Sequence, residues 1–161
     1  MIRRQLEEFM RRMAPKSVAI IPGAHDARRS NDTHYRFRQD SDFFYLTGFE
    51  EPDSLAVIKP EAEKKYTLFV RPRDPEREIW DGRRAGVEGA KSEFGAEEAF
   101  PIAEFESKLA EFLDGADVLY YRLGVDSDLD NKIIQERHRR GIILRFDIHS
   151  GEHALRLVKA G

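Results

Sequence analysis

The chain has 161 residues, no cysteine and a formal net charge of −3, from 27 basic and 30 acidic residues. The lack of cysteine excludes disulfides, thiolate zinc sites and cysteine nucleophiles. The small negative charge gives no general attraction to nucleic acid or anionic lipid, and no window approaches the roughly 18 uninterrupted apolar residues of a membrane span. We therefore expect a single soluble, cytoplasmic domain over residues 1–161, without nucleic-acid or membrane partners.

The first half of the chain is predicted to contain one helix and four strands. Apolar residues at three- and four-residue steps predict the helix over IRRQLEEFMRRM (2–13), which Pro15 ends. Short β-branched or aromatic runs predict strands at SVAIIP (17–22), DFFYLT (42–47), SLAVIK (54–59) and YTLFVR (66–71). The charged turn PEAEKK between the last two predicts that they form a hairpin.

The second half alternates helices with strands. In DPEREIW (74–80), Asp74 as cap and Pro75 at the first helical position predict a short helix that presents Trp80 near its end, and DGRRAGVEG is predicted as a loop. Further helices are predicted at FESKLAEFLDG (105–115) and at SDLDNKIIQERHRRG (127–141), the latter capped by its first serine or aspartate. Two more strands are predicted at DVLYYRL (117–123) and IILRFDI (142–148). This order predicts an α/β fold, a mixed sheet of about six strands flanked by helices.

Potential metal ligands are concentrated between residues 26 and 42. The group consists of Asp26, Asp32, His34, Asp40 and Asp42. Such oxygen-rich groups can bind magnesium or manganese, but neither an EF-hand nor a His-Glu-x-x-His pattern is present. A solvated loop or an interface is therefore favoured over a metal site. His149 and His153 stand four apart, but Gly151 between them weakens a helix, so they are interpreted as surface residues, and His25 and His138 as isolated.

Arginines surround the single tryptophan of the chain. They are Arg71, Arg73, Arg77, Arg83 and Arg84. Such a cluster can hold carboxylates, phosphates or stacked bases, or it can form salt bridges within the chain, with Asp74, Glu76, Glu78 and Asp81. Composition alone favours Trp80 as a partly buried core residue. Motifs for phosphate cradles and for the hydrolase nucleophile elbow are missing from the sequence.

Two segments resemble the signature segments of a known family. RSNDTHYRFRQDSDFFYLTGFEEP (29–52) and YTLFVRPRDPEREIWDGRRAG (66–86) are similar to the N-terminal domain of Xaa-Pro aminopeptidases (aminopeptidase P), and HALRLVKA (153–160) looks like the segment that leads into the catalytic domain. The resemblance implies a mixed sheet flanked by helices. It also implies a following pita-bread domain with two manganese ions, whose ligands lie beyond Gly161. We thus expect no catalytic or metal residue in this chain, which would be inactive alone.

The resemblance also implies roles for four residues. Trp80 matches a tryptophan that lines the substrate channel, often that of a neighbouring subunit in a dimer or tetramer, and Asp32 matches an aspartate on the loop facing the catalytic domain. Arg83 and Arg84 are expected at an interface. As a hypothesis, residues 29–42 are offered to the catalytic domain while 43–49 anchor that loop in the core.

Three alternative functions stay open. The N-terminal domain of a Xaa-Pro dipeptidase (prolidase) shares a similar pattern of FRQ followed by an aromatic strand, although EIWDGRR favours the aminopeptidase. A stand-alone carboxylate metallonuclease would use Asp32, Asp40 and Asp42 with magnesium. An independent binding module that has lost its catalytic half is the third.

Overall fold

Six strands form one mixed sheet in the order β4-β3-β2-β1-β5-β6. The computed structural model describes residues 2–26, 37–124 and 126–145. The strands are β1 (Ser17–Pro22), β2 (Leu55–Ile58), β3 (Tyr66–Val70), β4 (Glu98–Pro101), β5 (Val118–Tyr120) and β6 (Ile143–Arg145). The helices are α1 (Ile2–Arg12), α2 (Ser41–Thr47), α3 (Pro75–Asp81), α4 (Gly86–Ser92), α5 (Phe105–Leu113) and α6 (Ser127–Arg140), with a 3-10 turn at Ile102–Glu104.

One strand runs against the other five. β2 pairs antiparallel with β1 and with β3, whereas the pairs β3/β4, β1/β5 and β5/β6 are parallel. The predicted hairpin is therefore confirmed as β2 and β3, and so is the α/β class with a mixed sheet flanked by helices. The parallel strands end at the same edge of the sheet, so the segments that follow them meet there.

Both faces of the sheet are buried. Val18 and Ile20 of β1 belong to the core layer that contains residues of α5 and α6. Ala19 and Ile21, which point to the other face, belong to the layer that contains residues of α1, α2 and α4. This two-residue alternation explains why β1 reads as a continuous apolar run. No described helix has the length and apolarity needed to cross a membrane.

The prediction of a strand at 42–47 was wrong, because this segment is α2. The side chain of Asp40 caps the helix by accepting the Phe43 backbone N–H, and Gly48 ends it in the left-handed conformation, with φ of 68°. Phe43 and Leu46 are buried on one side of α2 while Phe44 is partly exposed. Cap chemistry at the two ends outweighs the strand preference of the aromatic residues between them.

Other elements also differ from the prediction. β4 was missed because only Ala99 in it is buried and because it ends with Pro101. Proline is tolerated there because β4 is an edge strand. The loop predicted at 81–89 was wrong in part, since Gly86 begins α4, where packing of small buried residues outweighs the low helix propensity of glycine. The cap of α6 is Asp126 instead of Ser127 or Asp128. The segment 153–160, which resembles the lead into a catalytic domain, lies outside the described residues.

The Gln39 side chain connects the end of β1 with the segment that follows α2. Its Oε1 accepts the backbone N–H of Ala24 at 2.8 Å, and its Nε2 donates to the carbonyls of Phe49 at 3.0 Å and Glu51 at 2.9 Å. Gly23 leaves room for it, since a Cβ there would lie 3.0 Å from Gln39 Oε1. The amide thus satisfies backbone groups from two separate segments at once.

Replacing this amide by a carboxylate tests its role. Gln39→Glu keeps the shape but puts an acceptor against two carbonyl oxygens, so we expect the free energy of unfolding to fall by about 1–3 kcal/mol. Urea denaturation of the chain measures it. The exposed Gln135 of α6 provides the matched control, and Gln135→Glu should change stability by less than about 0.5 kcal/mol. Equal effects of the two substitutions would contradict the role given to Gln39.

Candidate functional site

α3 is a short helix without a single buried residue. Asp74 caps it by accepting the Arg77 backbone N–H at 3.3 Å, and Pro75 occupies the first turn, as predicted. Seven residues are too few for a helix to be stable by itself in water. Its stability must come from polar contacts that connect it to the rest of the protein. We call the segment 72–85, which contains α3, the α3 projection.

Two large apolar side chains of α3 face solvent. Trp80 is 87% exposed and Ile79 is 78% exposed. The prediction that Trp80 is partly buried in the core was therefore wrong. The sequence holds a signal for this: the residues of the predicted helix that precede Trp80 by four and three positions, Glu76 and Arg77, are both charged. Without an apolar neighbour at that spacing, Trp80 cannot belong to a buried stripe. Ile79 was not predicted as a site residue.

Glu78 fixes the projection from its inner side. Its carboxylate accepts the Arg84 backbone N–H at 2.7 Å, the Asp74 backbone N–H at 3.0 Å and the Arg73 Nε–H at 3.1 Å. The side chain is 8% exposed. The hydrogen bond from the Arg84 backbone, aided by Arg73, holds the pKa of Glu78 below its ordinary value. Glu78 thus stays ionised, and its single carboxylate binds backbone groups that precede and follow α3.

A second carboxylate joins the projection to the sheet. Glu51, which precedes β2, accepts the Ala85 backbone N–H at 2.8 Å and lies 3.6 Å from Arg71 Nη2. Arg84 Nη1 donates to the Pro72 carbonyl at 3.2 Å, so this arginine connects the two ends of the projection. Arg83 is exposed and pairs with Glu93 at 3.0 Å. Glu51 was not among the predicted partners of the arginines.

The arginines act through carboxylates and not through the tryptophan ring. Arg73 pairs with Glu78 and Arg83 with Glu93, which agrees in part with the predicted salt-bridge network. Across the described ranges, the cation lying over an aromatic ring is Lys108, 4.3 Å from the centre of Phe100, and no such contact involves Trp80. The face of Trp80 is therefore free to contact another molecule.

The acidic residues near position 40 form ion pairs within the fold. Asp40 Oδ2 accepts Arg122 Nη2 at 2.5 Å, and the buried Asp42 lies 3.6 Å from Arg122 Nη1. One guanidinium thus balances both carboxylates, which leaves them poorly suited to a nuclease metal site. Asp32, His34, His149 and His153 lie outside the described residues. Within residues 2–26, 37–124 and 126–145, no three histidine, aspartate or glutamate side chains are grouped so that they could hold a metal ion.

His25 is not isolated, contrary to the prediction. Its ring contacts Asp53 and Asp126, which lie 28 and 101 residues away in the chain. The sequence carries no local signal for this contact, because the sheet topology alone brings the three residues together. His138, in contrast, is exposed at the end of α6.

Comparison with known proteins identifies the family. The model of the aminopeptidase P N-terminal domain matches residues 2–120. The chain belongs to this family. The Xaa-Pro aminopeptidase of Haemophilus influenzae is 44% identical over 110 residues, covering 68% of this chain and 26% of that protein, and the Xaa-Pro aminopeptidase of Escherichia coli strain K12 is 37% identical over 123 residues, covering 75% and 28%.

The fold agrees with this assignment. The structure of the Pseudomonas aeruginosa aminopeptidase PepP superimposes with a TM-score of 0.81 and 38% sequence identity, covering 91% of this chain and 36% of that one. The resemblance in RQDSDFFYLTGFEEP and EIWDGRR is therefore confirmed as family membership. The chain spans about a quarter of the length of the two curated relatives, at 26% and 28%.

The exposure of Trp80 makes a direct prediction about stability. Trp80→Ala removes little buried surface, so the free energy of unfolding should change by less than about 0.5 kcal/mol. Phe43→Ala is the contrasting aromatic truncation, since Phe43 is fully buried, and should cost about 3–5 kcal/mol. Chemical denaturation followed by circular dichroism measures both. A large loss for Trp80→Ala would mean that the tryptophan supports the fold.

Proposed function

We propose that this chain is the N-terminal, non-catalytic domain of a manganese-dependent Xaa-Pro aminopeptidase, in which Trp80 helps to line the substrate channel. The family match and the relatives named above support the enzyme class. The observation that carries the role of Trp80 is its exposure on a helix with no buried residue. A large apolar side chain held in solvent by polar contacts indicates an interaction surface.

The substrate explains why a separate shaping domain is useful. Proline at the second position of a peptide forms a tertiary amide with no N–H and a fixed φ, so a general peptidase site fits it poorly. A wall formed by a second domain narrows the entrance and selects short or unstructured N-termini by rejecting folded chains. In this proposal Trp80 and Ile79 form part of that wall, against the chain's own catalytic domain or a neighbouring subunit of a homodimer or homotetramer.

The predicted site residues take different parts in this proposal. The exposed Arg83 is suited to an interface, whereas Arg84 acts as a positioning residue because its backbone N–H and guanidinium bind Glu78 and the Pro72 carbonyl. Asp32 remains proposed as part of the loop that faces the catalytic domain. The fully buried Phe43 and Phe49 support the idea that 43–49 anchors the preceding segment in the core.

The metal chemistry belongs to another part of the protein in this proposal. The described residues offer no group that fits a manganese pair, and we assign the ligands of both ions to a C-terminal catalytic domain of pita-bread fold. Two-metal activation of water requires a complete set of ligands. We accordingly expect the 161-residue chain alone, as one domain, not to hydrolyse Xaa-Pro peptides. The cytoplasm is the compartment that we propose.

The role of Trp80 is tested in the full-length gene product. Trp80→Ala should lower kcat/KM for Xaa-Pro oligopeptides about tenfold, the effect expected for losing a central aromatic contact. The control is Ile134→Ala, which truncates a partly exposed apolar side chain on α6 and should leave kcat/KM unchanged. Steady-state kinetics with folded variants, checked by circular dichroism, decides. Unaltered kcat/KM for Trp80→Ala would remove the tryptophan from the channel.

The choice between aminopeptidase and dipeptidase needs a separate measurement. We expect the full-length protein to release the first residue of a longer Xaa-Pro-Xaa peptide, because EIWDGRR matches the aminopeptidase pattern and the relatives above are named Xaa-Pro aminopeptidases. Mass spectrometry of the products from Ala-Pro and from the longer peptide measures this. Hydrolysis confined to Ala-Pro would favour the prolidase alternative.

A further inference from the structure

The imidazole of His25 bridges two carboxylates from different parts of the chain. His25 follows β1, and its Nδ1 lies 2.8 Å from Asp53 Oδ1, in the turn before β2. Its Nε2 lies 2.7 Å from Asp126 Oδ2, at the start of α6. One ring therefore connects three segments at the edge of the sheet where β1 and β5 end.

With both carboxylates ionised, this geometry fits a doubly protonated ring. A neutral imidazole has a single N–H, and an ionised carboxylate can only accept a hydrogen bond. Two contacts below 3 Å to two carboxylates are therefore satisfied together only by the imidazolium, in which both nitrogens donate. After loss of one proton, one carboxylate would face a ring nitrogen lone pair.

Both partners also hold local backbone structure. Asp53 has a left-handed φ of 55°, which is uncommon for a residue other than glycine, and its N–H donates to the Ala24 carbonyl at 3.0 Å. Asp126 Oδ1 accepts the Leu129 backbone N–H at 3.1 Å and so caps α6. Each contact with His25 thus fixes a backbone feature as well as a side chain.

The surrounding charges favour the imidazolium. His25 borders a cleft of about 550 Å³, whose other charged residues besides its two partners are Asp26, Glu106 of α5, and Asp128 and Lys132 of α6. Lys132 is paired with Glu106. Among the described residues that line this cleft, carboxylates therefore outnumber cations, although solvent screens their effect because the His25 side chain is 63% exposed.

We propose that His25 is a pH-sensitive clamp, which as an imidazolium ties the end of β1 to the turn before β2 and to the start of α6, and which releases one of these ties when it loses a proton. The proposal does not depend on peptidase activity. It assigns to the cleft edge a state that changes when the His25 ring loses a proton.

The signs of the pKa shifts define where the clamp is strongest. Hydrogen bonds to Asp53 and then Asp126 raise the pKa of His25 above its ordinary value. Its contribution to stability is therefore complete below about pH 6.5 and is lost as pH rises through the folded-state pKa. Burial alone would raise the pKa of Asp126, but hydrogen bonds from His25 and the Leu129 N–H lower it. The contribution of Asp126 to stability is lost as pH falls through its folded-state pKa. The clamp is therefore strongest in mildly acidic solution.

Nuclear magnetic resonance of the ring nitrogens tests the clamp in the 161-residue chain. We expect both nitrogens of His25 to be protonated at pH 6, with a titration midpoint above about 6.5. Asp126→Asn keeps the helix cap but removes one charge from the clamp, and should shift the midpoint downwards. Asp128→Asn is the matched control, because it removes a nearby carboxylate that the structure does not place on the ring.

Two results of the resonance experiment would overturn the proposal. One is a midpoint at or below 6.5 in the unsubstituted chain. The other is an equal shift from Asp126→Asn and Asp128→Asn, which would show a general field in place of a clamp. In a second measurement, urea unfolding should give a stability loss for His25→Gln that is larger at pH 6 than at pH 9. A loss that does not depend on pH would also contradict it.

Discussion

The four hydrogen bonds of the Gln39 amide are the constraint on which the candidate site depends. Oε1 accepts from Ala24 and Asp40, while Nε2 donates to Phe49 and Glu51. The backbone of Glu51 is thereby fixed, and its carboxylate in turn accepts the Ala85 N–H at the base of the α3 projection. An amide is required because a carboxylate or an apolar side chain of this size cannot both accept and donate. The Gln39 side chain contacts neither Trp80 nor Ile79, yet through Glu51 it helps to fix the position of both.

Polar contacts hold the α3 projection in place, and its apolar residues therefore remain exposed to solvent. Burying Trp80 would stabilise the fold by the hydrophobic effect, yet α3 is fixed by Glu78 and by its cap. The helix is ordered before any partner arrives. A contact made by a preformed helix costs less conformational entropy than one made by a loop that must fold on binding. Rigidity and exposure together explain how a short helix could form part of the channel wall that we propose.

Local sequence patterns predict most of the helices and strands, whereas capping and long-range contacts determine α2 and the contacts of the candidate site. The β2/β3 hairpin was predicted from two short apolar runs joined by a charged turn, and α5 from apolar residues spaced to lie on one face; Phe105, Leu109 and Leu113 of that face are buried. α2 was not, since its aromatic residues favour a strand and only the framing by Asp40 and Gly48 selects a helix. The exposure of Trp80 was readable from its charged helical neighbours. The contacts of Glu51 with Ala85 and of His25 with Asp126 were not readable, because 34 and 101 residues separate the partners.

The sheet topology places all these features at one edge. β1, β3 and β5 are parallel, so His25, the α3 projection and Arg122, which follow them, all lie at their carboxyl ends. β2 runs the other way, so Glu51 and Asp53, which precede it, lie at the same edge. Loops at this edge of a parallel sheet are where binding groups converge in α/β proteins. A docking partner that contacts Trp80 would therefore approach the same edge as the His25 clamp, and protonation of His25 would act within that region of the protein.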